Sequence, residues 1–123
     1  MRAWVIEDND QNFELVEFLL EEAGWDVVRA ASAAELRARY AQEPPQVLLL
    51  DMNLPDASGL DLVTELRARD AFARVPIVAV TAHAMRGDRE HCLAAGCDAY
   101  LSKPIDSATF RSEIEAIAAR GRT

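Results

Sequence analysis

Short apolar runs recur along the chain, and each is followed by a longer stretch in which apolar positions return every three or four residues. A continuous apolar run predicts a strand buried on both faces, whereas the three-to-four spacing predicts an amphipathic helix. The runs predict strands at residues 4–6, 25–30, 47–50, 77–80 and 99–101. The longer stretches predict helices at residues 11–23, 32–42, 60–69, 87–95 and 107–120.

Residues at the predicted helix ends agree with this pattern. Gly24 and Gly96 each follow a helix, where a left-handed residue often ends the last turn. Ser32 followed by Glu35 has the reciprocal capping pattern that opens a helix. A proline pair after the second helix cannot continue it.

Strict alternation of strand and helix with short connections predicts a doubly wound α/β domain. We expect a five-stranded parallel sheet in the flavodoxin-like order 2-1-3-4-5, covered by five helices. The chain has 123 residues, of which 50% are hydrophobic, enough for one compact core. One domain spanning residues 1–123 is therefore expected.

Composition narrows the classes of partner. The net charge of −8 argues against nucleic acid, which is bound through clustered cations. No apolar run approaches the roughly 20 residues of a membrane span, and the first strand starts without a signal region. We expect a soluble, cytoplasmic protein that binds neither nucleic acid nor membrane. Cys92 and Cys97 match no disulfide framework or redox motif and are expected to be reduced.

Polar side chains collect at the carboxyl ends of the predicted strands. In a doubly wound sheet these ends form the edge at which ligands bind. The residues that follow the first, third, fourth and fifth strands are Glu7, Asp8, Asp51, Asn53, Thr81, Lys103 and Pro104. Four strands thus bring ionisable and hydrogen-bonding groups to one edge.

These residue types together suit phosphoryl chemistry. Three crowded carboxylates repel one another unless a cation offsets their charge, and oxygen ligands with few protein contacts suit Mg²⁺, or Mn²⁺ in its place. The Thr81 hydroxyl could donate to a developing oxyanion, and Lys103 could pair with a phosphoryl oxygen. Asp51 is then placed to attack phosphorus and form an aspartyl phosphate. Singly, each residue has an ordinary structural explanation, such as a turn or helix cap for Asp51.

The motifs that carry these residues resemble those of the response-regulator receiver family, whose CheY-like members are doubly wound. The similar segments are residues 5–9, 49–55, 58–59, 80–82 and 102–104. The resemblance covers the chain from end to end. It implies that Asp51 is the phosphoacceptor, that Asp8 and Asp51 are metal carboxylates, that the Asn53 main-chain carbonyl is a further ligand, and that Glu7 acts through water.

The resemblance also implies how a signal would leave the site. Thr81 and Lys103 would grip the phosphoryl group, the Lys103–Pro104 bond would be cis, and Thr81 with Tyr100 would form the switch. The protein would be a signalling phosphoacceptor rather than an ordinary enzyme. Its output surface would lie on the fourth helix, fifth strand and fifth helix and include Met85, Arg86, Arg89 and Tyr100.

Residues 81–88 and 96–100 are most similar to the cell-division regulator DivK and to receivers of hybrid kinases within this family. The phosphodonor would be a histidine kinase or histidine phosphotransferase, and the output a protein target, with the chain acting as monomer or homodimer. No DNA-binding output domain is expected after the last helix. His83, two positions beyond Thr81, either affects water access to the phosphoryl group or is an exposed loop histidine.

Two alternative functions are open. A haloacid-dehalogenase-like phosphatase also uses a strand-terminal aspartate, but it needs a second aspartate two residues later, where this chain has Asn53. A receiver-like binding module that works without phosphorylation usually lacks acidic or lysine positions. In this chain those positions are intact, as Glu7, Asp8, Asp51, Thr81 and Lys103.

Two other sites fit the sequence less well. A flavin mononucleotide site would need a phosphate loop after the first strand, where residues 7–10 are acidic or amide side chains that repel phosphate without a metal. A zinc site would have to use residues whose spacing matches no structural zinc motif. Those residues are His83, His91, Cys92 and Cys97.

Overall fold

The computed structural model describes residues 1–82 and 87–120. Its strands are β1 (Arg2–Ile6), β2 (Asp26–Ala30), β3 (Val47–Asp51), β4 (Ile77–Thr81) and β5 (Ala99–Ser102). Its helices are α1 (Asp10–Glu22), α2 (Ala33–Ala38), α3 (Gly59–Arg67), α4 (Asp88–Ala95) and α5 (Phe110–Arg120), with a short 3₁₀ helix at Asp70–Phe72. Within this part of the chain, no helix is long and apolar enough to cross a bilayer.

The five strands form one parallel sheet in the order β2-β1-β3-β4-β5. The predicted doubly wound fold is therefore confirmed. Registers align the carboxyl ends of the inner strands, because Ile6 pairs with Leu50 and Asp51 pairs with Val80. The order reverses between β1 and β3, which opens a crevice at that edge of the sheet.

Both faces of the sheet are buried, which explains the uninterrupted aliphatic run of β3. Leu48 and Leu50 lie in a core with side chains of α2, α3 and α4. Val47 and Leu49 lie in a second core with side chains of α1 and α5. Alternate residues of a strand point to opposite faces, so every position must be apolar when helices cover both.

Polar side chains fix where the helices begin. The Asn9 side chain accepts a hydrogen bond from the Asn12 amide at 2.9 Å and caps α1. Ser32 accepts one from the Glu35 amide at 3.2 Å, as its capping pattern predicts. The carboxylate of a residue remote in sequence, Asp56, also accepts from two first-turn amides of α2.

Several predicted helix boundaries differ from the observed ones, and for three of them the structure shows the reason. Helix α2 ends at Ala38 rather than at residue 42, since tight turns follow and Tyr40 packs on Phe72 with ring centroids 5.5 Å apart. Helix α4 begins after Gly87, whose φ of 90° is not helical. Helix α5 begins at Phe110 rather than at residue 107, because residues 107–109 form a turn whose amides donate hydrogen bonds to Asp106.

Arg67, at the end of α3, contacts the 3₁₀ helix, the loop before β4 and the turn before β5. Its guanidinium donates to the carbonyl oxygens of Gly96, Phe72 and Val75 at distances between 2.7 and 3.0 Å. It also pairs with Asp98 at 2.8 Å, and the same Asp98 oxygen accepts the Ile77 amide at 2.8 Å. Because this ion pair is largely buried, removal of one member leaves the other without compensation.

The Arg67→Met variant should therefore be strongly destabilised, by about 3 kcal/mol in the free energy of unfolding. Urea unfolding followed by circular dichroism at pH 7 measures this loss. Arg111→Met is the matched control, because the Arg111–Glu115 pair is mostly exposed and lies within one helix. Equal stability of the two variants would show that the Arg67 contacts contribute little.

Candidate functional site

The site lies at the carboxyl edge of the sheet, where four strands deliver its members. Glu7 follows β1, Asp51 ends β3, Thr81 ends β4 and Lys103 follows β5. Among the described residues, the polar or charged residues that are buried are Glu7, Asp51 and Thr81. All three belong to this edge, so the buried polar groups of the described core are concentrated at one place.

Three carboxylates converge within this edge. Glu7, Asp8 and Asp51 each present an oxygen, and these oxygens all lie within 4.8 Å of one another. Glu7 and Asp51 are buried, whereas Asp8 is exposed at the opening. A set of carboxylate oxygens with one open side is what a hard divalent cation such as Mg²⁺ requires, because it keeps several water ligands. The donor set therefore fits a metal of this kind.

Lys103 is the cation of the site. Its Nζ lies 2.6 Å from Glu7 Oε1 and 3.3 Å from Asp51 Oδ2, and its side chain is 13% exposed. Burial lowers the pKa of Lys103, but the hydrogen bond to Glu7 and the charges of both carboxylates outweigh it and raise the pKa above its ordinary value. Because its pKa is raised, Lys103 stays protonated at neutral pH.

The two buried carboxyls titrate differently. Burial, followed by the hydrogen bond to Asp51, raises the pKa of Glu7 to about 7. Burial would also raise the pKa of Asp51, but hydrogen bonds from Glu7, the Asn53 amide and Lys103 lower it overall. Near neutral pH Glu7 can thus stay protonated and donate a hydrogen bond to Asp51. Asp51 stays ionised and keeps the negative charge that a nucleophile needs.

Metal-free protein should lose stability as pH rises through about 7, owing to Glu7. The pKa of Glu7 is near 4.5 in the unfolded chain and about 7 in the folded chain, so between pH 4.5 and pH 7 the folded state binds more protons. The stability that the raised pKa contributes is therefore fully present below pH 4.5 and is lost as pH rises through about 7. The Glu7→Gln variant should remove this loss, which we expect to be on the order of 2 kcal/mol. Urea unfolding of both proteins in EDTA at pH 5.5 and 8 tests this prediction. A difference in stability between wild type and variant that is the same at both pH values would contradict the raised pKa of Glu7.

Asn53 links the Asp51 carboxylate to Thr81. Its main-chain amide donates to Asp51 Oδ1 at 2.9 Å, and its side-chain Nδ2 donates to Thr81 Oγ1 at 3.1 Å. The sequence predicted only a role for the Asn53 carbonyl. The side-chain bond to Thr81 was missed, because the two residues lie 28 positions apart.

Thr81 and Tyr100 line one cavity beside the site, with a volume of about 280 Å³. The Tyr100 hydroxyl is buried and has no hydrogen-bond partner in the described part of the chain. The Lys103–Pro104 peptide bond is cis, and the Lys103 amide donates to the Thr81 carbonyl at 2.7 Å. The full lining of the cavity is Met52, Asn53, Ser58, Leu60, Thr81, Asp88, His91, Cys92 and Tyr100.

Only some of the predicted output residues lie in the part of the chain that the structure describes. Arg89 is exposed on α4, and Tyr100 is half-buried on β5. Met85, Arg86 and His83 lie outside the described residues. The histidine and cysteine residues that were considered for zinc form no cluster of metal-ligand groups within the described ranges.

A parallel doubly wound sheet with a buried aspartate, a threonine, a lysine and metal-suited carboxylates at its carboxyl edge has the groups that a phosphoacceptor signalling domain needs. Comparison with known proteins specifies the family. The model of the response regulator receiver domain matches residues 3–115, and the chain belongs to that family.

Relatives agree with this assignment. The polar-differentiation response regulator DivK of Brucella anthropi is 36% identical over 111 residues, which cover 90% of each chain. A receiver domain of a sensor histidine kinase from Pseudomonas aeruginosa is 36% identical, with a TM-score of 0.80 over 97% of this chain and 94% of that one. The similarity to DivK and to kinase-borne receivers predicted from the sequence is confirmed.

A CheY-like receiver domain protein from Methanospirillum hungatei is 26% identical, with a TM-score of 0.87 over 97% of this chain and 94% of the other. The Pseudomonas structure has a magnesium ion coordinated in its active-site cleft. Membership of the family makes the protein a phosphoacceptor of two-component signalling and implies a histidine kinase as its partner. It decides against the phosphatase alternative.

Proposed function

We propose that Asp51 accepts a phosphoryl group from the phosphohistidine of a histidine kinase or histidine phosphotransferase, in a step that depends on Mg²⁺. One observation carries this proposal. Asp51 is 4% exposed, lies within 4.8 Å of two other carboxylate groups, and has the Lys103 ammonium 3.3 Å away. Burial of carboxylates is costly unless opposite charge offsets theirs, and three carboxyl groups facing one lysine leave a place for a further cation.

The metal would be held by the carboxylates of Asp8 and Asp51 and the main-chain carbonyl of Asn53, with Glu7 acting through water. When bound, Mg²⁺ neutralises charge on the phosphoryl oxygens, and Mn²⁺ could replace it. Glu7 would release its proton when the metal binds, because a nearby dication favours the ionised carboxylate. Metal binding should therefore strengthen with rising pH.

The chain's own groups would then carry out the transfer. A carboxylate oxygen of Asp51 forms the new phosphorus–oxygen bond as the phosphorus–nitrogen bond of the donor breaks, and the leaving imidazole keeps its electron pair and takes a proton from solvent. Lys103 and the Thr81 hydroxyl would pair with the phosphoryl oxygens. Stabilisation of charge that builds up during transfer is their contribution to the rate.

Phosphorylation would be transmitted through Thr81 and Tyr100. The phosphoryl group adds about −1.5 to −2 charges and new acceptor oxygens next to Thr81. To reach it, the Thr81 hydroxyl would leave the Asn53 side chain, which now lies 3.1 Å away. Because Thr81 and Tyr100 line the same cavity, this movement would change the space open to the Tyr100 ring.

The output surface would then be the face formed by α4, β5 and α5, with Met85, Arg86, Arg89 and Tyr100 in contact with a downstream protein. Exposure of Arg89 supports a role in protein contact. We propose a cytoplasmic setting, where a histidine kinase or phosphotransferase can reach the site, and a monomer or homodimer as the acting form.

The requirement for metal tests this function. Wild-type protein incubated with acetyl phosphate and Mg²⁺ should gain about 80 Da by intact mass spectrometry, one phosphoryl group, and the gain should disappear when EDTA replaces Mg²⁺. Mn²⁺ should restore it. A wild-type protein that gains no mass with either metal would instead be the receiver-like module that works without phosphorylation.

A further inference from the structure

One arginine on the neighbouring strand holds the loop that carries two of the three carboxylates. Arg29 lies on β2, and its Nε donates to the Glu7 carbonyl at 3.2 Å while Nη2 donates to the Asp8 carbonyl at 3.3 Å. Nη2 also pairs with Asp10 Oδ1 at 2.8 Å, and the guanidinium lies 4.6 Å above the centre of the Phe13 ring. A single side chain thus contacts the whole segment from the end of β1 to the first turn of α1.

These contacts bear directly on the site. The carbonyls that Arg29 binds belong to Glu7 and Asp8, so the contact restrains the peptide planes next to the Cα atoms that carry both carboxylates. Inside the loop, the Asn9 amide donates to Glu7 Oε2 at 3.2 Å, and the Asn9 side chain caps α1. Arg29 provides the corresponding restraint from outside the loop.

We propose that Arg29 is a positioning residue of the metal site, which raises the affinity for Mg²⁺ by holding the main chain of Glu7 and Asp8. The inference rests on the proposed function, because it concerns the same metal. Groups that orient metal ligands typically change metal affinity by about 10-fold to 100-fold when they are removed.

The charge of Arg29 and its positioning role predict opposite changes in the affinity for Mg²⁺ when Arg29 is replaced, so an experiment can distinguish them. A cation near a metal site repels Mg²⁺, so charge alone predicts tighter binding when Arg29 is replaced. That repulsion is small, since the guanidinium is partly exposed and already paired with Asp10. Loss of the restraint on the loop predicts weaker binding, and we expect this effect to be the larger.

The shape of the side chain separates the two effects further. Arginine reaches three oxygens at once because its donors form a planar fork, whereas a lysine ammonium is a compact point charge on a flexible stem. Arg29→Lys keeps the charge and loses the fork. Arg29→Met loses both while it keeps an apolar stem beside Phe13. If positioning dominates, the two variants should behave alike.

Magnesium titrations of the full chain test the proposal. Chemical shifts of the Asn9 and Asn53 amides would report the Kd for Mg²⁺ in wild type, Arg29→Lys, Arg29→Met and Arg37→Met. Arg37 is the control, because it makes a similar forked contact with Glu65 on α3 but contacts no residue of the site. We expect the Kd to rise about 10-fold in both Arg29 variants and to stay unchanged in the control.

Hydrogen exchange of metal-free protein gives a second, independent readout. The amides of the first turn of α1, such as Asn12, should exchange faster in both Arg29 variants than in wild type, and the control should match wild type. A Kd that is unchanged in both Arg29 variants would overturn the inference and leave the proposed function standing. The same holds for a Kd that falls in Arg29→Met and stays at the wild-type value in Arg29→Lys. Wild-type protein that shows no shift with Mg²⁺ would overturn the proposed function and the inference with it.

Discussion

The Asp51→Asn variant should gain no phosphoryl group from acetyl phosphate or phosphoramidate in the presence of Mg²⁺, whereas wild-type protein should gain about 80 Da. An amide oxygen is a far weaker nucleophile than a carboxylate and brings no negative charge to a metal. The change is nearly isosteric, so the Asn53 amide can still donate to the side-chain oxygen at position 51. Loss of the adduct would therefore reflect chemistry rather than unfolding.

Asp56→Asn is the matched control for this experiment. Asp56 lies in the loop between β3 and α3, near Asp51 in sequence, but its carboxylate caps α2 rather than contacting the site. The control should be phosphorylated like wild type, because the amide at position 56 keeps one of the two acceptor oxygens that cap α2 and contacts no residue of the site. An adduct of equal yield on Asp51→Asn would mean that another residue accepts the phosphoryl group.

Replacement of Lys103 by methionine should slow phosphorylation of Asp51 by about 100-fold to 1000-fold at saturating Mg²⁺. The ammonium lies 3.3 Å from Asp51 Oδ2 and would stabilise charge on the transferring group. Because Lys103 is also a cation within the metal site, its loss should leave the affinity for Mg²⁺ unchanged or higher. Initial rates with acetyl phosphate, together with the Kd for Mg²⁺, measure both effects.

A fall in the phosphorylation rate without a fall in the affinity for Mg²⁺ distinguishes catalysis from general damage to the site. A distorted site would lose metal affinity and rate together. Lys103→Arg should recover only part of the rate, since a planar guanidinium differs from an ammonium in size and donor geometry. A Lys103→Met protein phosphorylated at the wild-type rate would show that Lys103 serves only to offset the charge of Glu7.

The sheet could be predicted from the sequence because its signals are local. The aliphatic run of β3 is buried on both faces, and that alone requires helices on each side. Gly24 and Gly96 have positive φ angles after α1 and α4, as expected for residues that end a helix. Alternation of the elements then left few topologies to consider.

The early end of α2 depends on contacts that no local pattern contains. Tyr40 leaves the helical path to pack on Phe72 and to donate a hydrogen bond to Glu65, partners 32 and 25 positions away. The start of α5 is set by turn bonds to Asp106, which compete with a helix that the sequence would also allow.

The convergence of Glu7, Asp51, Thr81 and Lys103 at one edge could be predicted because each residue ends or follows a strand in the chain. The contacts of Arg29 and Asp56 could not be predicted, since each reaches across more than 18 positions to a main-chain group and no spacing marks such a partner. The raised pKa of Glu7 also required the structure. It depends on the degree of burial and on the short distance to Lys103, which sequence does not contain.

Identification of the phosphorylated residue is the most direct test of the central claim. Wild-type protein phosphorylated with acetyl phosphate and Mg²⁺ would be treated with borohydride, which reduces an acyl phosphate to an alcohol and thereby marks the modified carboxyl. Peptide mass spectrometry should then find homoserine at position 51 and aspartate unchanged at positions 8 and 56. Homoserine at another position, or a phosphoryl group that resists borohydride, would contradict the assignment of Asp51 as the phosphoacceptor.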